Sequence, residues 1–204
     1  MKIKNFNEFL NEAEKIENDV ESMRQRVIEH IDRVKYFYNK LIEGNMIPKE
    51  EIISDIVEHH DEDKLEYENL RKQALRFIPQ DQITPELKAE IDGVVRDHVK
   101  TNPHHCEFWG KPNEDHTTFG IHCEAMPDKF IYEMMADWAA TAEEKGNPIY
   151  NWYDLCVNQK KRWFFNAHQK DVMERCMDYL QQFIDTTKER VYANKIVDPA
   201  LINK

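Results

Sequence analysis

Histidine is concentrated in one short segment of the chain. The stretch DHVKTNPHHCEFWG, residues 97 to 110, holds three of the nine histidines together with an aspartate and a glutamate. Imidazole and carboxylate groups are good ligands for Zn, Fe, Mn and related ions, and a site poor in thiolate leaves positions for water. The segment therefore indicates a metal site, provided that other parts of the chain supply further ligands.

Further ligands are found where the hydrophobic pattern predicts buried helix faces. Four predicted helices each place one histidine or aspartate in line with the apolar side chains of the buried face. These residues are His30, His60, His98 and Asp137. A buried polar group without a partner costs about 1–3 kcal/mol. For any one of these residues, a core side chain bonded to a carbonyl is the simpler interpretation. Because four helices show the same feature, convergence on a metal is favoured.

The helices themselves follow from periodicity and from start and stop residues. Six helices are predicted: over about 14–43, from Pro48, from Thr84 and Pro85, from Pro127 to near Gly146, over about 152–166, and over about 168–193. The helix from Pro48 has an apolar stripe at Ile52, Ile53, Ile56 and Val57. In the helix from Thr84 and Pro85, the residues expected to face inward are Leu87, Ile91, Val94 and Val95. With few glycines and 41% hydrophobic residues, the chain is predicted to be all-α. Its 204 residues suit one domain.

Charge and cysteine content exclude several classes of protein. A net charge of −11 argues against extended nucleic-acid binding, since phosphate contacts need clustered Lys and Arg. No apolar run is long enough for a membrane span. The four cysteines contain no CxxC pair, which favours free thiols and a cytoplasmic location.

The order of the candidate ligands resembles a known family. His30, His60-Asp61, His98, His104-His105 and Asp137 follow the H...HD...H...H...D series of the HD superfamily of metal-dependent phosphohydrolases. The motif HDEDK (60–64) is similar to HDxGK, and HHCEFWG (104–110) is similar to a region of the HD-GYP branch. The chain is also similar to an HD-like family of phages and bacteria with HDxSK, NxHHxExW and EMxxDW motifs. It lacks the GYP motif, so cyclic dinucleotide hydrolysis is not expected.

The resemblance implies a fold, a cofactor and a reaction. It implies a single compact helical HD-domain-like bundle, with the metal-site core at about 25–145 and C-terminal helices at about 152–193. It implies two divalent metal ions, Fe, Mn or similar, with Zn and Mg as alternatives. The first site would comprise His30, His60, Asp61 and Asp137, and the second His98 with His104 or His105. Asp61 would bridge the two ions.

A role in hydrolysis is implied for two residues. Asp61 and Lys64 would be catalytic, with Lys64 stabilising charge on phosphoryl oxygens from the same helical face as His60 and Asp61. The implied substrate is a small phosphorylated molecule, a nucleotide above all. Glu133, one turn before Asp137, is a candidate either for holding a histidine or for the helix surface. The same alternatives stay open for Asp97.

Two other functions compete with hydrolysis. A diiron oxygenase, myo-inositol oxygenase, has a similar ligand order, so the ligands alone do not separate hydrolysis from oxygen chemistry. Alternatively, Cys106, His116, His122 and Cys123 could form a structural zinc loop in a non-catalytic module that binds a host factor. His59 is expected to point away from His60, and His168 to lie on the apolar face of the last helix.

The first residues of the chain suggest a separate role. MKIKNFNEFLNEAEK is not a secretory signal, because it lacks a long apolar region. It resembles the capsid-targeting peptides of T4-like phage internal head proteins, and Leu10, Asn11 and Glu12 match the site at which those peptides are cut. The resemblance implies that residues 1–12 are cleavable and that residues 13–204 form the mature protein. It also implies a contact with the phage capsid during assembly, and a location in the virion head before delivery to the host cytoplasm.

Overall fold

Helices account for most of the part of the chain that the structure describes. The computed structural model describes residues 6–74, 83–110 and 120–187, with the backbone alone for residues 6–18. Within these ranges lie eight α-helices: α1 (Phe6–Glu43), α2 (Ser54–Val57), α3 (Tyr67–Ala74), α4 (Pro85–Thr101), α5 (Cys106–Trp109), α6 (Asp128–Glu144), α7 (Ile149–Tyr153) and α8 (Ala167–Leu180). The predicted all-α fold, packed as a compact bundle, is confirmed.

Shorter elements connect these helices. They are 3-10 helices at Lys49–Glu51, Glu62–Leu65 and Gln181–Phe183, a π-helix at Asp154–Gln159, and two strands, β1 (Ile121–His122) and β2 (Trp163–Phe164). The strands pair in parallel, with Ile121 opposite Trp163 and His122 opposite Phe164.

Helix α6 is the centre of the main hydrophobic core. Twelve of its seventeen residues are buried, so it is apolar on nearly every side, as expected for a helix enclosed by others. Helix α1 packs along one side of it and α8 along another. Two glutamates, Glu133 and Glu143, are buried on α6 among alanines, methionines and aromatic residues. Burying carboxylates at these positions requires partners, and Glu143 has one in Arg33 of α1 at 2.7 Å.

A second, smaller core joins α1 to α3. Val20, Met23, Val27 and Ile31 of α1 pack against Leu70 and Ala74 of α3. The long helix α1 therefore contributes to both cores along its length. His30 lies between the residues that face α3 and those that face α6, which places it at the junction of the two cores.

The helix predicted from Pro48 is wrong. Pro48 precedes a 3-10 helix of three residues, and α2 is only four residues long. Ile56, expected inside, is 44% exposed, and only Val57 of the predicted stripe is buried. The chain leaves helical conformation after α2 and reaches Asp61, whose φ of 57° lies in the left-handed region.

The two helices predicted near the C-terminal end are also partly wrong. The segment 152–166 ends not as a helix but as β2, because Trp163 and Phe164 pair with β1. Helix α8 ends at Leu180 and a 3-10 turn carries the chain to Phe183, so the prediction to 193 is too long; residues 188–193 lie outside the described ranges. His168 is exposed beside Asp128, at 2.6 Å, rather than on the apolar face.

Helix α4 begins as predicted. Thr84 is its N-cap, and its hydroxyl accepts a hydrogen bond from the N–H of Leu87 at 3.2 Å. The expected inward face is only half-buried at Leu87, Ile91 and Val94, while Val95 is exposed. His98 is the one fully buried side chain of the helix.

The N-terminal prediction falls mostly on residues whose side chains the structure does not describe. Residues 1–5 lie outside the described ranges, and residues 6–12 belong to the backbone of α1, which starts earlier than the predicted residue 14. The cleavable peptide therefore stays a prediction. Among the described helices, none is both long enough and apolar enough to cross a membrane.

Candidate metal centre

Five separate segments bring the predicted ligands together. They come from α1 (His30), the turn after α2 (His60 and Asp61), the C-terminal part of α4 (His98), the loop before α5 (His104 and His105) and the middle of α6 (Asp137). His60, Asp61, His98 and His104 are buried, and the others are partly buried. The structure thus places all seven sequence-predicted ligands in one cluster.

Asp61 is at the centre of this cluster. Its Oδ2 atom lies 3.7 Å from Nε2 of His30 and 3.4 Å from Nε2 of His60. Its Oδ1 atom lies 3.1 Å from Nε2 of His98 and 3.4 Å from Nε2 of His104. The two oxygens of one carboxylate therefore face two different pairs of histidines.

The left-handed backbone of Asp61 makes this arrangement possible. Aspartate tolerates this conformation better than most residues, although it costs on the order of 1 kcal/mol. It ends the turn after α2 and directs the carboxylate into the cluster. Lys64 follows on the 3-10 helix, where residues three apart lie on the same side, and its ammonium group bonds to Oδ2 of Asp61. The sequence predicted that Lys64 shares a face with Asp61, but on a continuous α-helix, whereas here a 3-10 helix brings the two together.

The remaining predicted ligands complete each side. Nε2 of His30 lies 3.0 Å from Oδ1 of Asp137, and Nε2 of His105 lies 2.9 Å from Nε2 of His98. Three groups have ligand atoms close enough to hold a metal ion: His30, His60 and Asp137; Asp61, His98, His104 and His105; and His60, His104 and Glu133. The cluster can therefore bind metal.

Several atoms at the centre of the cluster are buried and have no hydrogen-bond partner in the part of the chain that the structure describes. They include Nε2 of His60, Nε2 of His104 and Oδ1 of Asp61. They approach neighbouring nitrogen or oxygen atoms of the cluster to 3.1–3.4 Å, but without hydrogen-bond geometry. A buried polar atom without a partner is rare in a native protein and calls for a physical reason. Nitrogen and oxygen lone pairs that converge on a common point are the arrangement that a cation requires, so these residues fit a metal.

Two carboxylates that face Nδ1 atoms hold the histidine rings in place. Oε1 of Glu133 lies 2.9 Å from Nδ1 of His60 and 3.3 Å from Nδ1 of His104. In a neutral ring whose Nδ1–H donates to a carboxylate, the proton-free nitrogen is Nε2, the atom that faces Asp61. Glu133, for which two roles stayed open in the sequence, therefore holds two histidines and does not lie on the helix surface.

Asp63 plays the same part for a third histidine. Its Oδ2 atom lies 2.8 Å from Nδ1 of His98, and the side-chain amide of Asn102 lies 3.0 Å from the same nitrogen. The sequence offered only a weak signal for Asp63, its position two residues after a predicted ligand. Asp97, the other residue left open, is exposed.

The loop that carries the histidine pair is fixed from its other side. Glu107 accepts hydrogen bonds from Arg162 at 2.9 Å and from the indole of Trp163 at 3.2 Å. The indole N–H of Trp109 donates to the carbonyl of Pro103 at 2.7 Å. The aromatic and basic segment around 160–170 therefore anchors the ligand loop.

The electrostatics favour both neutral and charged histidines within the cluster. Burial lowers the pKa of His60, and burial together with His104 holds the pKa of His105 well below its usual range. Both rings are then neutral, the form that binds metal. Burial also lowers the pKa of His104, but Asp61 and Glu133 outweigh it and raise that pKa to about 10.

A cavity of about 630 Å³ opens onto the cluster. At the cluster end it is lined by His30, His98, His105, Asp137 and Lys64. Its other walls come from α1, α3 and α4. Helix α6 also lines the cavity, through Asp137, Thr141 and Glu144. Glu144 forms an ion pair with Arg26 of α1, which lines the cavity as well. A ligand in this cavity would have direct access to the candidate metal ligands.

The alternative zinc loop is not assembled by its described members. Cys106 and Cys123 are buried near each other, and burial holds the pKa of the Cys106 thiol well above its usual range, with Cys123 adding to the effect. His122 is exposed and pairs with Glu124 at 3.1 Å. His116 lies outside the described residues. His59, as expected, is exposed beside Glu62 rather than in the cluster.

Fold and site together define a helical protein with a buried histidine and carboxylate cluster that can hold metal. The chain belongs to a family described as a family of unknown function (DUF5662), which matches residues 19–186. No curated protein and no solved structure matches it. The matched range includes every residue of the candidate metal centre.

Proposed function

We propose that the protein is an HD-type phosphohydrolase that uses two divalent metal ions and acts on a nucleotide or another small phosphoester. The observation that carries the proposal is the position of Asp61. Its two oxygens face separate histidine pairs, one completed by Asp137 and the other by His105. A carboxylate with ligand sets on both sides suits a pair of ions better than a single one.

The chemistry of such a pair matches phosphoester hydrolysis. Two neighbouring cations lower the pKa of a water held between them and neutralise charge on phosphoryl oxygens. The first side would comprise His30, His60 and Asp137, and the second His98, His104 and His105, with Asp61 shared. Fe and Mn suit these ligands, with Zn and Mg as alternatives.

The protein's own residues would orient and neutralise the substrate. Lys64 lies at the border between the cluster and the cavity, so its ammonium group can approach a phosphoryl oxygen there. Glu133 and Asp63 keep Nε2 of three histidines directed at the centre. The cavity is large enough for a phosphate with an organic group attached, and an acidic chain does not attract a nucleic-acid polymer.

Elemental analysis tests the ion pair. The protein, purified without chelator or His-tag, should carry about two ions per chain. Asp61→Asn should lose both, whereas His30→Ala and His98→Ala should each lose one, because they lie on opposite sides of Asp61. Asp92→Asn, at an exposed ion pair on α4, is the matched control and should keep both. A single ion in the wild type, or two in Asp61→Asn, contradicts the proposal.

Activity assays separate hydrolysis from the oxygenase alternative. The metal-loaded protein would be tested on nucleoside phosphates and simple phosphoesters, with phosphate release and oxygen consumption measured in parallel. We expect phosphate release that Asp61→Asn abolishes, without oxygen uptake. Oxygen uptake with no phosphate release would support a diiron oxygenase in place of the hydrolase.

We also propose that residues 1–12 direct the protein into a phage head, from which it reaches the host cytoplasm. The support is the sequence resemblance around Leu10, Asn11 and Glu12. Mass spectrometry of virions tests it, with a mature protein that begins at Ala13 as the expected result. Packaging that survives deletion of residues 1–12 would contradict this proposal and leave the enzymatic one intact.

A further inference from the structure

The cavity wall contributed by α3 is polar. Asn69, Lys72 and Gln73 all line the cavity, and their spacing of three and four residues places them on one face of the helix. The side-chain amide of Asn69 already donates to the carbonyl of Asp63 at 2.6 Å. Lys72 has no ion-pair partner among the described side chains, residues 19–74, 83–110 and 120–187, so its ammonium group adds a positive charge to this wall.

Gln73 is the unusual member of this wall. Its side chain is buried, with 7% of the residue exposed, and its Nε2 atom has no hydrogen-bond partner among the described residues. It lies beside Leu70 and Ala74, which pack in the small core between α1 and α3. An apolar residue would suit such a position better, since a buried amide without a partner destabilises the fold. A ligand that supplies the missing acceptor would account for it.

The rest of the cavity indicates what kind of group that ligand presents. Its apolar lining consists of Val27 of α1 and Val94, Val95 and Val99 of α4. No Phe, Tyr or Trp side chain lines it in the parts of the chain that are described. The cavity therefore offers aliphatic contacts and a buried amide donor away from the metal cluster, which suits a flat ring with a hydrogen-bond acceptor on its edge.

We infer that Gln73 is a specificity-determining residue, which donates a hydrogen bond from Nε2 to the acceptor edge of a nucleobase held among the valines of the cavity wall. This inference rests on the proposed function, because the phosphoryl end of the same ligand would lie at Asp61 and Lys64. Gln73 touches only the organic part of the ligand, so its removal should affect the choice of ligand and not metal or phosphate binding.

The test compares ligands with and without a base. The Mn²⁺-loaded full-length protein would be titrated calorimetrically with the 5′-phosphonate analogues of the common nucleoside monophosphates, whose P–C bond resists hydrolysis. The matching phosphonate of ribose and inorganic phosphate serve as ligands that lack the base. The variants are Gln73→Met, which keeps the length of the side chain, and Gln25→Met, an exposed control on α1.

We expect the wild type to bind one nucleoside analogue at least about 10-fold more tightly than the ribose analogue. Gln73→Met should lower the affinity for that nucleoside analogue by about 10- to 100-fold, because a site built to hydrogen-bond a ligand loses most of its selectivity without the donor. Its binding of ribose phosphonate and of inorganic phosphate should not change. Its melting temperature should equal or exceed that of the wild type, whereas a structural glutamine would lower it.

The outcomes distinguish this inference from the proposed function. If inorganic phosphate binds the metal-loaded wild type but Gln73→Met leaves nucleoside binding unchanged, or weakens all ligands alike, the inference is overturned and the hydrolase proposal stands. A wild type that does not distinguish nucleoside from ribose analogues has the same meaning. If phosphate does not bind the metal-loaded wild type, the proposed function fails, and the inference fails with it.

Discussion

Two buried glutamines show how differently two regions of this molecule treat polar groups. Gln169, at the start of α8, donates from Nε2 to the carbonyls of Cys123, Glu124 and Met126, at 2.9–3.3 Å. Its Oε1 accepts from the N–H of Asn166 in a capping box. The Nε2 atom of Gln73, on the cavity wall, has no such partner in the described parts of the chain.

The polar groups around the two glutamines differ in the same way. Near Gln169, the loop between β1 and α6 is fixed by hydrogen bonds, and its Cys123 and Met126 side chains are buried. Near the cavity, His60, His104 and Asp61 have buried atoms without hydrogen-bond partners among the residues that the structure describes. Satisfied polar groups hold a fold together, whereas unsatisfied ones at the edge of a cavity mark the place where a ligand or an ion completes the structure.

The largest effect on folding is expected at Gln169. Gln169→Met removes the donor for three carbonyls at once and should lower the free energy of unfolding by about 3 kcal/mol. Urea denaturation measures it, with Gln25→Met as the exposed control. Metal content should stay the same as in the wild type. A loss below about 0.5 kcal/mol, the size typical of surface changes, would mean that this network does not stabilise the fold.

Glu133 should have the largest effect on metal affinity among the residues that hold the histidine rings. Glu133→Gln keeps the shape but weakens the hold on Nδ1 of both His60 and His104, so affinity should fall by about 10- to 100-fold. Competition with a chromophoric chelator measures the affinity of each ion. Because the two histidines lie on opposite sides of Asp61, both ions should be affected, and unchanged affinities would show that the contacts are only structural.

A smaller and more local effect is expected at Asp63. Asp63→Asn removes the charge beside Nδ1 of His98. It should lower the affinity only for the ion on that side of Asp61, by about 10-fold. Asp97→Asn is the matched control, since Asp97 lies next to His98 in sequence but is exposed. An equal loss of affinity for both ions would indicate that the two sides of Asp61 are not separate metal sites.

The smallest effect is expected far from both regions. Lys88 and Asp92 form an exposed pair at 2.6 Å, four residues apart on α4. Lys88→Ala should change the free energy of unfolding by about 0.3–0.5 kcal/mol at most. The same urea experiment measures it. If Lys88→Ala changed the free energy of unfolding as much as Gln169→Met, burial of a polar group would not explain how much it contributes to stability.

Much of the candidate site could be predicted because its residues follow helical periodicity. His30, His98 and Asp137 lie on long helices, where spacing relates sequence directly to a buried face. The short elements were predicted less well. The Pro48 helix and the helix over 152–166 were wrong, because a four-residue helix, a π-helix and two-residue strands are stabilised by neighbours that are distant in sequence.

The residues around the site could not be predicted with the same success. Asp63 follows the HD pair in an acidic segment, and nothing in its spacing shows that it reaches His98, 35 residues later. Gln73 reads as an ordinary helix surface residue until the cavity beside it is known. Such roles depend on which elements meet, and local sequence does not encode that.

The sequence by itself determined an all-α chain and a set of histidines and aspartates on buried helix faces, because periodicity and the cost of burying polar groups are properties of local sequence. Only the tertiary structure decided that Asp61 would face a different histidine pair with each oxygen, that Glu133 and Asp63 would hold the rings, and that a cavity would open beside them. Those features require the left-handed turn at Asp61 and the packing of α1, α4 and α6 around it, since distances across a core are set by the elements that pack together and not by spacing along the chain.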